Sequence, residues 1–325
     1  MKISELRPII KDYDKSKLER IIIELYKRVP KNIKEDYDID NYIKNINNED
    51  KIKSNKKEDI DLKQLKDEII YFLTCVDNGF YHIPNKVISK KERSKWRFKV
   101  KKFYKSLTSI DPTYIDGDNA TFLLIEIFEK LSEGTAYLLF SNWEPFKAIG
   151  VSQADYFIEI LDRTFKNKVT STEYKILTII NLLNVDTESE YYENLYTIYS
   201  NYINDKDEIN LSIKFSIDKI EELKEKYKTI ENDNKKYYLS RDINDYCRLI
   251  TNLYIKLNQV EKGIDFYYKN VIDMRELSKV YNILDILKYY KLYDEWIKEY
   301  EKKSSLGFHD YVKEEYLQIK DILND

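Results

Sequence analysis

The side chains best suited to nucleophilic, acid–base or metal chemistry are His82, His309, Cys75 and Cys247, and their spacing gives them no partners. The cysteines are far apart and share no metal-ligand spacing with either histidine, so neither a zinc site nor a disulfide framework is indicated. Neither histidine lies in an HExxH motif, no serine sits in a GxSxG context, and no glycine-rich phosphate loop exists. Tyr81-His82-Ile83-Pro84 reads as a loop packing against the core, and His309, after Gly307, as part of a helix-capping region. The loop from Asp111 to Asp118 resembles a calcium loop only briefly. Counting back from Gly117 places Asp116 at ligand position 5, but Tyr114 at 3 and Pro112 at 1, where oxygen ligands are required. A turn followed by a helix start is the better reading. No catalytic residue, metal ligand or cofactor motif emerges, and a non-enzymatic role is expected.

The one segregated feature is a basic run, Lys86 to Lys105, written KVISKKERSKWRFKVKKFYK. It carries ten Lys and Arg against one Glu, a charge of +9. Residues 1–85 balance at 17 bases and 17 acids, so a whole-chain charge of −3 leaves −12 for residues 106–325. Ser89 with Glu92 forms a capping box, and Trp96, Val100, Phe103 and Leu107 recur at helical offsets, which predicts a basic helix with a narrow apolar face. Its cations, among them Lys91, Arg93, Lys95, Arg97, Lys101 and Lys102, suit phosphates, while Trp96, Phe98 and Tyr104 suit stacking on bases. The competing reading is structural: Trp96, Val100, Phe103 and Leu107 are core, and the cations face solvent or pair with the acidic remainder of the same chain.

Helices must position these residues, because six Gly and five Pro in 325 residues are too few for the turns of a strand-rich fold. The 42% hydrophobic fraction supports a sizeable core, and no run of roughly eighteen apolar residues exists to span a membrane. Thirty Tyr among many Lys, Ile and Asn fit an A+T-rich codon alphabet and argue little about function. The start of the chain shows no cationic-then-apolar leader, and a reducing cytoplasm is the expected setting. Leu18, Ile21, Ile22, Leu25 and Val29 trace one face of a helix that Pro30 stops. Residues 44–57 hold almost nothing apolar and read as an exposed, mobile loop. A helix over 60–76 ends at Asn78-Gly79, a pair suited to a left-handed cap. Further helices are expected at 119–131, 152–165, 172–183, 188–203 and 208–227, then about five more after a polar gap at 231–236. Between them, Tyr137, Phe140, Trp143, Pro145 and Phe146 form an aromatic stretch. Trp143 and Phe146 are suited either to gripping a peptide or to sealing two helical layers.

Near the C-terminus Ile250, Tyr254, Asn258, Gly263 and Tyr267 stand where a tetratricopeptide hairpin keeps an apolar residue, Tyr, a turn residue, a small residue and an aromatic. The text NLYIKLNQVEKGIDFYYKN resembles one such repeat. About 35 residues later KYYKLYDEWIKEY echoes it, with Tyr289 and Leu292 answering Tyr254 and Leu257, although Lys298 replaces the glycine. Thr251, Asn270 and Arg275 replace the remaining small residues and proline of that signature. Separately, ELRPIIKDYDKSKLERIIIELYKRVP, KKERSKWRFKVKKFYKSL and EGTAYLLFSNWEPFKAIGVSQADYFIEIL resemble an uncharacterised family of helical bacterial proteins of unknown function. That resemblance touches part of residues 1–165, implies an all-helical fold and carries over no catalytic residue.

The expectation is therefore an all-α protein of stacked antiparallel helical hairpins, solenoid-like, with an N-terminal helical region over 1–165 and a hairpin array over 166–325. Its leading function is that of a non-enzymatic scaffold binding another protein through Trp143, Phe146, Tyr254 and Tyr267. The alternative is polyanion or nucleic-acid binding through the basic helix. No membrane partner is expected.

Overall fold

A computed structural model describes residues 10–11, 13–30, 34, 40, 43, 61–82, 87–187 and 194–324. Among them every regular element is a helix, so the all-α expectation holds. The chain divides into two units, Met1–Asp61 and Leu62–Asp325, and the expected boundary at 165/166 falls inside the second of these. In the first unit, helix α1 spans Lys15–Arg28. Asp14 caps it by accepting from the Lys17 N–H at 2.8 Å. The stretch 44–57 lies outside the described residues.

The second unit begins with α2, Leu62–Asp77, which ends as its sequence predicts. Gly79 takes φ 71°, and the Phe80 N–H reaches back to the Cys75 carbonyl at 3.0 Å, closing a Schellman turn. The basic segment forms α3, Lys90–Arg93, and α4, Trp96–Thr108. Next come α5, Ile115–Ala136, the short α6, Pro145–Ile149, and α7, Gln153–Lys166. Helix α5 is the hub of this half, packing against α2, α4, α6 and α7. Its core is aromatic: Phe128 lies 5.4 Å from Phe146 and 5.5 Å from Tyr156, centroid to centroid.

The rest of the unit comprises α8, Thr172–Leu182; α9, Leu195–Tyr202; α10, Lys206–Thr229; and α11, Asp233–Lys256. After these come α12, Val260–Asn270; α13, Glu276–Tyr289; α14, Tyr293–Lys302; and α15, Asp310–Asn324. Helix α11 is the second hub, against α9, α10 and α12. The polar gap expected at 231–236 is narrower, because the Asn232 side chain accepts from the Lys235 N–H at 3.0 Å and starts α11 at once.

Nothing separates the two halves at residue 165. Helix α7 packs on α5 behind it and on α8 and α9 ahead. The buried Gln153 amide donates to Ser132 Oγ at 2.9 Å and to the Asp186 carbonyl at 2.8 Å. Tyr202 donates to Asp162 at 3.0 Å, and Tyr246 to the Ile180 carbonyl at 2.6 Å.

The α11/α12 and α13/α14 pairs turn in the same way. Asn258 and Lys291 both take positive φ, 59° and 56°, and the N–H after each bonds a carbonyl five residues back. The offset between these turns is 33 residues rather than 35, so Tyr289 does not answer Tyr254. Tyr254 is 7% exposed and Tyr289 59%.

Gly117 shows how tightly the loop before α5 is seated. A Cβ there would lie 2.1 Å from the Asp111 carbonyl oxygen and 2.4 Å from Pro112 Cα, both backbone atoms that cannot swing aside. In an unobstructed helix Gly→Ala stabilises by about 1 kcal/mol. Here overpacking reverses the sign, and Gly117→Ala is expected to destabilise by about 1–3 kcal/mol. Chemical denaturation measures it; a stabilised variant would refute the packing.

Candidate functional site

The basic segment is built as two helical pieces rather than one. Ser89 Oγ accepts from the Glu92 N–H at 3.3 Å, the first half of the expected capping box. Ser94 Oγ then bonds the Lys91 carbonyl at 3.0 Å, and the chain turns at Ser94-Lys95 before α4 begins. Trp96, the first residue of α4, is buried against Phe140 at 4.3 Å with its indole N–H on Ser141 Oγ at 3.3 Å. Val100, Phe103 and Leu107 complete the buried stripe. The apolar face is therefore core, as the structural reading holds.

The cations divide between the two outcomes of that reading, most of them facing solvent and few of them paired. Of the nine between Lys90 and Lys105, two form ion pairs: Lys95 with Glu92 at 2.6 Å and Lys102 with Glu68 at 3.2 Å. Lys99 donates to the Tyr81 hydroxyl at 3.4 Å. Lys90, Lys91, Arg97, Lys101 and Lys105 are exposed and, among the described residues, have no carboxylate within ion-pair distance. Arg93 is half-buried, with its Nε enclosed and unbonded, so it stands apart from this face. Glu92 is held below the usual carboxylate range by the Lys95 hydrogen bond first, with Lys95, Lys91 and Lys99 adding to the local positive field. At 100° per residue the exposed cations of α4 cover the whole arc opposite Trp96. Phe98, 57% exposed, stands in the middle of that arc.

A charged side chain from α7 fixes the far end of this helix. Arg163, 3% exposed, donates to the Thr108 carbonyl at 3.2 Å, the Ile110 carbonyl at 2.9 Å and Thr121 Oγ1 at 3.2 Å. Glu159 lies 3.7 Å away. Burial lowers the Arg163 pKa, which Glu159 partly opposes. Asn167 holds the next turn, donating to the Pro112 carbonyl at 2.9 Å and accepting from the Val169 and Thr170 N–H groups. Two acids of the calcium-like loop have other partners: Asp111 closes a local turn with Thr113, and Asp118 accepts from Thr170 Oγ1 at 2.8 Å.

The residues expected to bind a protein do not form a surface. Phe146 is fully buried among Phe128 and Tyr156. Tyr267 is fully buried, its hydroxyl accepting from Asn282 at 2.8 Å. Tyr254 is covered by its own hairpin, 6.2 Å from Phe266. The spacing that suggested Tyr254 and Tyr267 places them where two antiparallel helices face each other, which is the least exposed position in a hairpin. Gly263 belongs to the same contact, since a Cβ there would meet the Thr251 carbonyl at 3.1 Å. Trp143 alone of the four is exposed, beside the exposed Tyr137 and Leu138.

No family model, curated protein or solved structure matches this chain.

Sequence reasoning passed over one polar cluster. Arg241, Asp245 and Arg248 share a face of α11 at helical spacing, a signal that the sequence does carry. Two cavities, of about 390 and 400 Å³, meet along this face, and Tyr237, Arg241 and Asp245 line both. Burial pushes the Asp245 carboxyl up to about 6, against the pull of Arg248 and Arg241 and with the push of Asp242. Neither histidine joins this cluster. His309 lies 5.9 Å from Tyr281, and His82 packs on Gly79. Cys247 is buried, with its thiol pushed up to about 12. Among the described residues no group of His, Cys, Asp and Glu is arranged to hold a metal, and no helix is long and apolar enough to cross a membrane.

The folded chain thus holds the Asp245 proton at higher pH than the unfolded chain, whose carboxyl keeps the ordinary value of 3.8. Native protein binds more protons between those values, so stability falls as pH rises from about 4 to about 6 and stays lower above. Asp245→Asn is expected to stabilise by about 1–3 kcal/mol at pH 8 and by little at pH 4. Urea unfolding at the two pH values measures this, and an equal effect at both would exclude titration of Asp245 as the cause.

Proposed function

We propose that the protein binds polyanions through the exposed face of α4. The observation that supports this reading is the set of cations, Lys90, Lys91, Arg97, Lys101 and Lys105, left without ion pairs among the described residues on an exposed basic segment of a chain whose residues 106–325 are acidic. A chain with −12 in residues 106–325 has carboxylates in excess, yet among the described residues the pairs made by these nine cations use only Glu68 and Glu92. Arg97, Lys101 and Lys105 rise about 6 Å per step along one stripe of the helix, a row of charge suited to a phosphate or sulfate backbone. Lysine dominates the face, and lysine acts as a compact point charge that neutralises without reading geometry. Two free, buried cysteines fit a reducing cytoplasm.

The scaffold reading retains one supporting observation, the exposed Trp143 with Tyr137. A protein partner gripping Trp143 would be weakened by Trp143→Ala, and that variant separates the two readings because it leaves every cation in place.

Fluorescence anisotropy with labelled heparin across a salt series tests the proposal. Wild type is expected to bind with log affinity falling linearly against log salt, with a slope of about −3 to −4 if four cations engage. The triple charge reversal R97E/K101E/K105E is expected to abolish binding without lowering the melting temperature, since none of the three has an ion pair to lose. Retained binding in that variant, or binding indifferent to salt, would overturn the proposal.

A further inference from the structure

We propose that the polyanion taken by α4 is a single-stranded nucleic acid, with bases stacking on Phe98 and on Tyr71 of α2. This rests on the polyanion reading above and adds a ligand class to it.

The three aromatics of the basic segment separate cleanly in the fold. Trp96 is buried against Phe140. Tyr104 is half-buried against Tyr156, 4.7 Å away. Phe98 is turned to solvent in the centre of the cationic arc. No packing requirement holds it there, because the apolar stripe of α4 is already complete without it. The Arg97 guanidinium lies over its ring, 4.9 Å from the centroid, so one face of Phe98 carries a cation and the ring is not an isolated apolar group.

A second ring flanks the same surface. Tyr71, 67% exposed, lies on α2 one turn beyond Glu68, the residue that ties α2 to α4 through Lys102. Lys99, on α4, reaches the Tyr81 hydroxyl and its charge bears on Tyr71. Lys99 and Lys102 of α4 therefore reach toward the side of α2 that carries Tyr71, so exposed rings on two helices share one set of cations. Rings of this kind serve unstacked bases, since every base has a π-face and sequence is not read. A duplex keeps its bases stacked inside and presents a major groove that is read by forked donors such as Arg, Asn and Gln. On α4 the one exposed fork, Arg97, is turned over Phe98, and the remaining cations are lysines. The four-residue rise of about 6 Å along Arg97, Lys101 and Lys105 is also close to two nucleotide steps of a stacked strand, about 7 Å.

The test uses the full chain, with labelled oligothymidylate, a duplex of matched length and heparin as probes. Wild type is expected to bind oligothymidylate more tightly than duplex. Phe98→Ala is expected to weaken oligothymidylate binding by roughly fivefold or more while leaving heparin binding unchanged, because heparin has no bases. Phe98→Trp is expected to restore it, and Tyr71→Ala to show the Phe98→Ala pattern more weakly. Unchanged oligothymidylate binding in Phe98→Ala, with all binding lost in R97E/K101E/K105E, would overturn the stacking inference and leave the polyanion reading standing. Heparin and oligothymidylate binding that survives the triple reversal, or that is absent in wild type, would overturn both. Phe98 and Tyr71 are exposed, so circular dichroism melting of each variant is expected to match wild type and keep the comparison free of folding effects.

Discussion

A single buried guanidinium sets the geometry on which the basic face depends. Arg163 sits in a place where a free charge is costly, and it is tolerated because three acceptors and a nearby carboxylate surround it. Two of those acceptors are the Thr108 carbonyl, at the end of α4, and the Ile110 carbonyl just beyond it. The end of a helix carries partial negative charge, so a cation placed there meets both the orphaned carbonyls and the dipole. The third acceptor, Thr121, belongs to α5. One side chain from α7 thereby joins α4 to the hub helix and fixes which way its polar arc points.

The same device recurs wherever irregular backbone must be buried. Asn167 satisfies the turn between α4 and α5, and the Asn244 amide both donates to the Ile272 carbonyl and accepts from the Ile272 N–H between α12 and α13. Lys256 places its ammonium on the Ser200 and Ile203 carbonyls at the end of α9. Glu299 accepts from Tyr268 at 2.6 Å. Each is a polar group drawn inward to meet backbone or hydroxyl groups that no helix ladder can satisfy. The abundant tyrosines serve the same end. Tyr156, Tyr199, Tyr246 and Tyr267 are buried as apolar bodies while their hydroxyls find a carbonyl, a serine or an amide. A tyrosine-rich alphabet is thus compatible with a close-packed helical core, provided that each hydroxyl has somewhere to go.

Against this interior, the α3–α4 surface stands out by its concentration of charge, nine bases against one acid over residues 90–108. Ion pairs elsewhere are mostly between residues three or four apart on one helix, such as Lys219 and Lys226 with Glu222 or Lys166 with Asp162. Such pairs contribute little to stability, but they do neutralise a surface. Helix α4 has no carboxylate of its own, so that local route to neutrality is closed along its length. The charge on this face is therefore a property of the sequence segment that the rest of the fold does not cancel.

Local chemistry was legible from the sequence wherever a short-range rule governs it. The helix periods, the Gly79 cap, the Ser89 cap and the buried stripe Trp96, Val100, Phe103 and Leu107 all follow from spacing alone, because a helix places residues three and four apart on one side regardless of context. Those same rules name which residues are aromatic or basic without saying which are covered. Phe146, Tyr254 and Tyr267 read as possible anchors in the sequence and are core in the fold, while Phe98, on the side of α4 opposite the apolar stripe, is left in solvent. Arg163 is one more cation on an amphipathic helix until three helices converge on it. Secondary structure and charge segregation belong to the sequence; burial, pairing and the solvent exposure of the cationic face are decided by which helices meet, and those contacts join residues dozens of positions apart that no local pattern connects.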